Sequence, residues 1–294
     1  MGRQGVAGSK ERCQTLVFFH VPKTGGESLN LVMTPRYRGK AGTVAHHWKK
    51  YNCISIRVNM KRIQVQKGAL LSIKPWKEDW RKERGSHTLV ELHCGTSMSL
   101  VQAEETLARM RADHEINGCG FFAFTIIRDP LEWVVSLYDD ICHRRLHGHK
   151  ESCPQRTPQL TPQEEMTQYP HLDGISSYLF HGWDGWNNKG PMDEEKLQRV
   201  GDVMEYGLDM VAFTPEVPDV IHFLTSTYAS EGGSLSDAEV QSIYSNRLRM
   251  NTNMHKVVKL EDFSPSQVAA LNSTVQHDWK LYQRFIGKTR PWQE

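Results

Sequence analysis

The chain alternates short apolar runs with longer amphipathic ones. "TLVFFH" (15–20) is a run of strand formers that Pro22 brings to an end. "TLVELH" (88–93) and "LDMVAFT" (208–214) read the same way. "GFFAFTII" (120–127) is apolar throughout, as expected of a strand covered on both faces. Helical patterns lie between these runs. "ESLNLVM" (27–33) opens one helix, and "SLVQAEETLARMRA" (99–112) sets Leu100, Val101, Leu107, Ala108 and Met110 at amphipathic spacing. "DPLEWVVSLYDDICHRR" (129–145) begins with an acid and an early Pro, which is helix-start chemistry. Another helix is expected around 217–228. "SPSQVAALNSTVQHDWKLYQRFIG" (264–287) reads as one long helix with Ser264 as N-cap and Pro265 at the first position. Four strands alternating with helices predict an α/β fold with a central, mainly parallel sheet flanked by helices.

The same reading divides the chain into a flexible lead-in (1–14) and a single domain (15–290). The domain carries loop-rich insertions at about 34–86 and 146–200. The first insertion is irregular and basic, with helical possibilities around Trp48 and Trp76; the second holds short helices. Residues 36–84 contain fourteen Lys or Arg against Glu78, Asp79 and Glu83, a charge of +11 in a chain whose net charge is only +2. This means either a solvated basic loop or a surface for an anionic partner. The six cysteines form no CxxC pair, which argues against a zinc ribbon or a thioredoxin-type motif and leaves disulfides open. No apolar run approaches the roughly 20 residues of a membrane span, and the first residues lack the apolar core of a signal peptide.

In open α/β sheets ligands bind beyond the carboxyl ends of the strands. Three expected strand exits carry chemistry: those at His20, His93 and Arg128. After the first comes "VPKTGGES" (21–28). Gly25 and Gly26 let the backbone turn sharply and approach a ligand closely. The N–H groups from Lys23 to Ser28 then face outward at a helix start, where phosphate or sulfate binds. Lys23 adds a positive charge, and Thr24 and Ser28 add hydroxyls. The alternative is an ordinary tight turn with an exposed lysine. The order of residues is not that of the nucleotide-triphosphatase P-loop, GxxxxGK[ST], in which the glycines come first.

"FFHVPKTGGES" resembles the 5′-phosphosulfate-binding loop of sulfotransferases that use 3′-phosphoadenosine 5′-phosphosulfate (PAPS). It is closest to the carbohydrate branch with the heparan sulfate 2-O- and 6-O-sulfotransferases. "FTIIRDPLEWVVSLYDD" (124–140) resembles that family's 3′-phosphate-binding element, with Arg128 and Ser136 at the family spacing of eight. Arg makes bidentate charge-assisted bonds to phosphate, although a local ion pair at a helix cap is the plain reading of Arg128-Asp129. "MVAFTPEVPDVIHFL" (210–224), "NRLRMNTNMHK" (246–256) and "HDWKLYQRF" (277–285) resemble later family segments. Through the second of these Arg249 carries over as a cofactor-loop residue, though Met250 stands where the family has Lys.

The resemblance implies a P-loop-like, nucleotide-binding sulfotransferase fold. The cofactor-binding set is then Lys23, Thr24, Gly25, Gly26, Glu27, Ser28, Arg128, Ser136 and Arg249. It implies sulfuryl transfer from PAPS to a hydroxyl, with 3′-phosphoadenosine 5′-phosphate (PAP) as product and no metal. Lys23 neutralises the leaving phosphate. His93 aligns with the family's catalytic histidine and serves as base, its ordinary pKa of about 6.5 suiting proton removal near neutrality. The family's bulky residues after that histidine are replaced here by "CGTSM" (94–98), which makes the acceptor pocket its own. His20, His46 and His47 are the further candidates. The expected partner is a carbohydrate or other small hydroxyl acceptor, with no nucleic acid; a metabolite or a protein tyrosine remains open. Two other functions compete: a non-catalytic polyanion binder of the same fold, and a kinase, which the glycine-lysine order and the lack of a Walker-B strand disfavour. Glycan-branch relatives are Golgi lumen enzymes with an N-terminal anchor. The expected location is therefore the Golgi lumen if an anchor is missing from this chain, and the cytoplasm otherwise.

Overall fold

In the computed structural model the residues described are 14–26, 29, 51–56, 87–92, 99–139, 160–167, 173–182, 191–228, 238 and 258–293. Of 51–56 and 87–91 only the backbone is described. Five strands are present among them: β1 (Gln14–Phe19), β2 (Tyr51–Ile56), β3 (His87–Leu92), β4 (Gly120–Ile127) and β5 (Met210–Phe213). They form one sheet in the order β2-β3-β1-β4-β5, and every pairing is parallel. The helices are α1 (Leu100–Ile116), α2 (Pro130–Tyr138), α3 (Pro162–Thr167), α4 (Gly174–His181), α5 (Glu194–Gly207), α6 (Val217–Tyr228), α7 (Pro265–Thr274) and α8 (Gln276–Phe285).

A parallel strand between helical layers must be apolar on both sides, and the central strands divide their side chains by alternation. Val17, Phe19, Ala123, Ile127, Val211 and Phe213 enter one core, with α1, α2, α4, α5, α7 and α8. Leu16, Phe18, Phe122, Phe124, Ile126, Met210 and Ala212 enter the other, against Leu29 and the α6 residues Val217, Val220, Ile221 and Leu224. The protein is thus a mixed α/β fold, a parallel sheet with helices on both faces. Among the described residues no helix is long and apolar enough to cross a membrane.

The structure departs from the sequence reading at three places. β2 lies inside the basic segment read as irregular with helical possibilities; "YNCISI" is short and sits at the sheet edge, where the apolar signal is weakest. α5 runs for fourteen residues and begins inside the segment read as holding short helices, capped by Asp193 accepting from Lys196 N. The last long helix is two. The backbone leaves helical geometry at Val275 (φ −120°, ψ 27°), and α8 restarts at once. Ser264 does cap α7, accepting from Gln267 N, with Pro265 next.

The topology sets the site. From β1 the chain runs out to β2 and returns through β3 on one side. It then crosses to β4 and β5 on the other side. The order therefore reverses beside β1, and the crevice beyond the carboxyl ends there is where such sheets bind ligands. Phe19 pairs with both Leu92 and Thr125 in the ladder, so β1 and β3 end side by side and β4 runs two residues further, to Ile127.

Candidate functional site

At the exit of β1 the backbone is contorted. Lys23 has φ 65° and Gly25 has φ 91°. A left-handed non-glycine residue costs about 1 kcal/mol or more and persists only where the surroundings over-determine it. Alternating left- and right-handed residues curl successive amides into an anion-binding concavity.

What over-determines the loop is a set of side-chain donors. The carbonyl of His20 accepts from the Tyr178 hydroxyl (3.3 Å), that of Val21 from Thr24 Oγ1 (2.7 Å) and that of Pro22 from Trp133 Nε1 (2.7 Å). The Lys23 carbonyl accepts from Arg128 Nη1 (3.4 Å), and the Thr24 carbonyl from Thr214 Oγ1 (3.2 Å). Five consecutive carbonyls, 20 through 24, are each held by a side chain. Four of the donors come from other elements: α4, α2, the exit of β4 and the exit of β5. Thr214 also donates to the Ile127 carbonyl (3.3 Å), joining the ends of β4 and β5 to the loop.

The loop also requires its glycines. A Cβ on Gly25 would lie 2.9 Å from Val217 Cγ2, and one on Gly26 would fall inside the His20 imidazole. That ring is buried and stacked on Phe18 (4.9 Å between centroids, 17° between planes). Gly26→Ala is therefore expected to destabilise the chain by about 2 kcal/mol, the scale of an overpacked core. Thermal unfolding would measure it; an unchanged midpoint would mean that the imidazole moves aside freely.

Arg128 leaves β4 and pairs with Glu132 one helical turn on (Nη2–Oε2 3.1 Å). Asp129 is not its partner. It caps α2 instead, its Oδ1 accepting from Leu131 N and Glu132 N. Ser136 is half-buried on α2, about 9 Å along the helix from Pro130 at 1.5 Å per residue. The arginine of the second motif thus touches the lysine loop of the first, from 105 residues away in sequence.

Of the expected site residues, the structure brings together Lys23, Thr24, Gly25, Gly26 and Arg128, with Ser136 on the helix that follows. Thr24 is fully buried and its hydroxyl is committed to the Val21 carbonyl, so the hydroxyl folds the loop. Glu27, Ser28, His93, Arg249, His46 and His47 lie outside the described residues. The backbone of β3 ends at Leu92, whose carbonyl accepts from His20 N at 2.8 Å. Trp133, Tyr178 and Thr214 were not anticipated. Trp133 stands inside the second motif, and an indole there was readable as a donor; nothing local marks the other two.

Behind the loop, α4 is anchored by an acid from α8. Buried Asp278 accepts from Ile175 N (3.0 Å), Ser176 N (2.7 Å) and Ser176 Oγ (2.5 Å). Burial pushes its carboxyl up to about 7, against the pull of the Ser176 and Ile175 donors. His277 binds Asp173 beside it (Nδ1–Oδ2 2.6 Å). By contrast His114 is structural: buried, it uses both nitrogens on the Met110 carbonyl (2.6 Å) and Thr15 Oγ1 (2.8 Å), and burial lowers its pKa. Cys119, one residue ahead of β4, is disulfide-bonded.

A family model described as "Sulfotransferase family" matches residues 11–200, a span that includes the β1 exit loop, Arg128 and α2. Among curated proteins there is no significant match.

Proposed function

The chain belongs to the sulfotransferase family, and from that premise we propose that it is a PAPS-dependent O-sulfotransferase acting on a hydroxyl of a carbohydrate or similar, anionic acceptor. The observation that carries this reading is the contact of Arg128 Nη1 with the Lys23 carbonyl (3.4 Å), which puts two cationic motifs at adjacent strand exits. A nucleotide charged at both ends needs that pairing. The fold is then the P-loop-like nucleotide-binding one, spanning 15–290.

The roles follow from charge and donor chemistry. Lys23 and the amides from Lys23 to Ser28 hold the 5′-phosphosulfate, in the concavity that the pinned carbonyls shape. Arg128 and Ser136 hold the 3′-phosphate, for which Arg128 gives up Glu132 in favour of a doubly charged oxyanion. Arg249 carries over from the resemblance as a cofactor-loop residue. His93 takes the proton of the acceptor hydroxyl. The acceptor oxygen then forms a bond to sulfur as the bond from sulfur to the bridging phosphate oxygen breaks. Lys23 neutralises the charge that develops on that oxygen, and PAP leaves. The basic 36–84 segment suits an anionic acceptor. The disulfide at Cys119 favours an oxidising compartment, and so the Golgi lumen over the cytoplasm.

The test is ligand stabilisation followed by transfer. PAP is expected to raise the unfolding midpoint where ATP and NAD do not. Arg128→Ala is expected to weaken PAP by about 100-fold, the scale of a lost charge-assisted phosphate contact. An acceptor screen with labelled PAPS over glycans, small alcohols and tyrosine peptides then identifies the acceptor class. Equal stabilisation by ATP would favour a kinase. Retention on heparin without any PAP effect would make the chain a polyanion binder.

A further inference from the structure

We propose that Trp133 is a positioning residue for the 5′-phosphosulfate loop, a role that rests on the nucleotide reading above. Trp133 lies on α2, between Arg128 at the strand exit and Ser136 on the same helix. It is 1% exposed, and its indole N–H donates to the Pro22 carbonyl at 2.7 Å. The carbonyl belongs to the residue immediately before Lys23, whose left-handed backbone the loop must hold. A proline cannot donate a backbone hydrogen bond, so this carbonyl is the one backbone group through which Pro22 can hydrogen-bond.

The other face of the ring is held as well. Gly174, the first residue of α4, lies against the Trp133 six-membered ring so closely that a Cβ there would overlap it. One turn further along α4, the Tyr178 hydroxyl donates to the His20 carbonyl and its ring lies against Phe19 (6.0 Å). The indole is thus clamped between α4 and the loop, and its N–H cannot swing away. The consequence is a single rigid piece: the grip on the 3′-phosphate end and the tether of the 5′-phosphosulfate loop share one helix. Preorganised donors of this kind bind without the cost of reordering the loop.

The role predicts an asymmetric defect. Trp133→Phe keeps an aromatic ring and removes the N–H together with the five-membered part of the indole; 3-benzothienylalanine removes the N–H alone. Titration of PAP, AMP (5′-phosphate only) and adenosine 3′-monophosphate is to be done on the folded chain, at a temperature where circular dichroism matches wild type. The variant is expected to bind PAP and AMP about tenfold more weakly, the effect of one buried hydrogen bond, and adenosine 3′-monophosphate within twofold of wild type. In single-turnover transfer the rate constant should fall along with affinity, because the phosphosulfate is misplaced. Substituting Trp133 with 3-benzothienylalanine, which has the indole's shape and no N–H, reads the same loss should Trp133→Phe fail to fold. Unchanged PAP affinity in both variants overturns the proposal. So does an equal loss for the 3′-only nucleotide, which would make Trp133 a packing residue. No PAP binding by wild type overturns the nucleotide reading itself, and this proposal with it.

Discussion

Lys23→Ala is expected to lower the rate constant of sulfuryl transfer by about 10²–10³, the scale of removing one electrostatic stabiliser of a developing oxyanion. The expectation follows from where the lysine sits. Its backbone is held left-handed, with its own carbonyl on Arg128 and the carbonyls on either side on Trp133 and Thr214. The side chain is therefore carried by a loop whose carbonyls are held by other side chains. Lys23→Gly is the control, because glycine accepts φ 65° without strain. It should be as inactive as Lys23→Ala, which assigns the loss to the ammonium group and not to the backbone. His93→Ala should also abolish transfer, yet leave PAP affinity within a few fold. Substantial transfer by either Lys23 variant would remove the lysine from the chemistry.

The second large effect is on stability. Asp278→Ala strips the α4 N-terminus of its acceptor and leaves Ile175 N, Ser176 N and the Ser176 hydroxyl buried without it. The loss is expected at about 3 kcal/mol, in the range for a broken buried polar network. It should depend on pH, with a definite sign. The carboxyl's ordinary value is 3.8, and burial raises it to about 7 in the fold. Between those values the folded chain holds a proton that the unfolded chain has lost, so stability falls as pH rises from about 4 to about 7. In the protonated form Oδ1–H can donate to Ser176 Oγ, whose own proton turns to the Asp173 carbonyl (3.5 Å). The groups acting on it are Ser176, Asp173 and the Ile175 amide; His277 pairs with Asp173, and Glu194 lies farther out, paired with Lys280 and close to His277.

The deficit of Asp278→Ala should therefore be largest near pH 4 and shrink as pH rises through about 7. Denaturant unfolding of both chains across that range is the measurement. A deficit that grows with pH would mean that the ionised carboxylate is the stabilising form. Because α4 carries both Gly174 and Tyr178, the variant should also weaken PAP binding, through the clamp on Trp133 and the hydrogen bond to His20.

Of the five strands described, β1, β4 and β5 were legible because their apolar runs are continuous and end at Pro22, Arg128 and Thr214, and β3 because "TLVEL" is rich in strand formers. The helix starts at Asp129 and Ser264 were legible because capping is local, each side chain bonding an amide two or three residues ahead; the Ser99 cap was seen only in the fold, and the helix from Leu100 was legible from its amphipathic spacing. β2 was not, because "YNCISI" becomes a strand only by lying beside β3. Nor was the break at Val275, where both sides continue the same amphipathic period.

The candidate site divides along the same line. Local chemistry marked Lys23, Gly25 and Gly26, because a sharp turn constrains the residue types within a few positions of itself, and the family resemblance marked Arg128 and Ser136. By contrast, Arg128 reaching the lysine loop, Thr24 turning inward, and Trp133, Tyr178 and Thr214 holding its carbonyls are facts of packing. They depend on which strands lie side by side and which helix covers them, and hydrogen bonds that close over 100 or 150 residues leave no periodicity in the chain. The residues that carry charge could be read in order along the polymer; the residues that aim that charge were decided only when the sheet assembled.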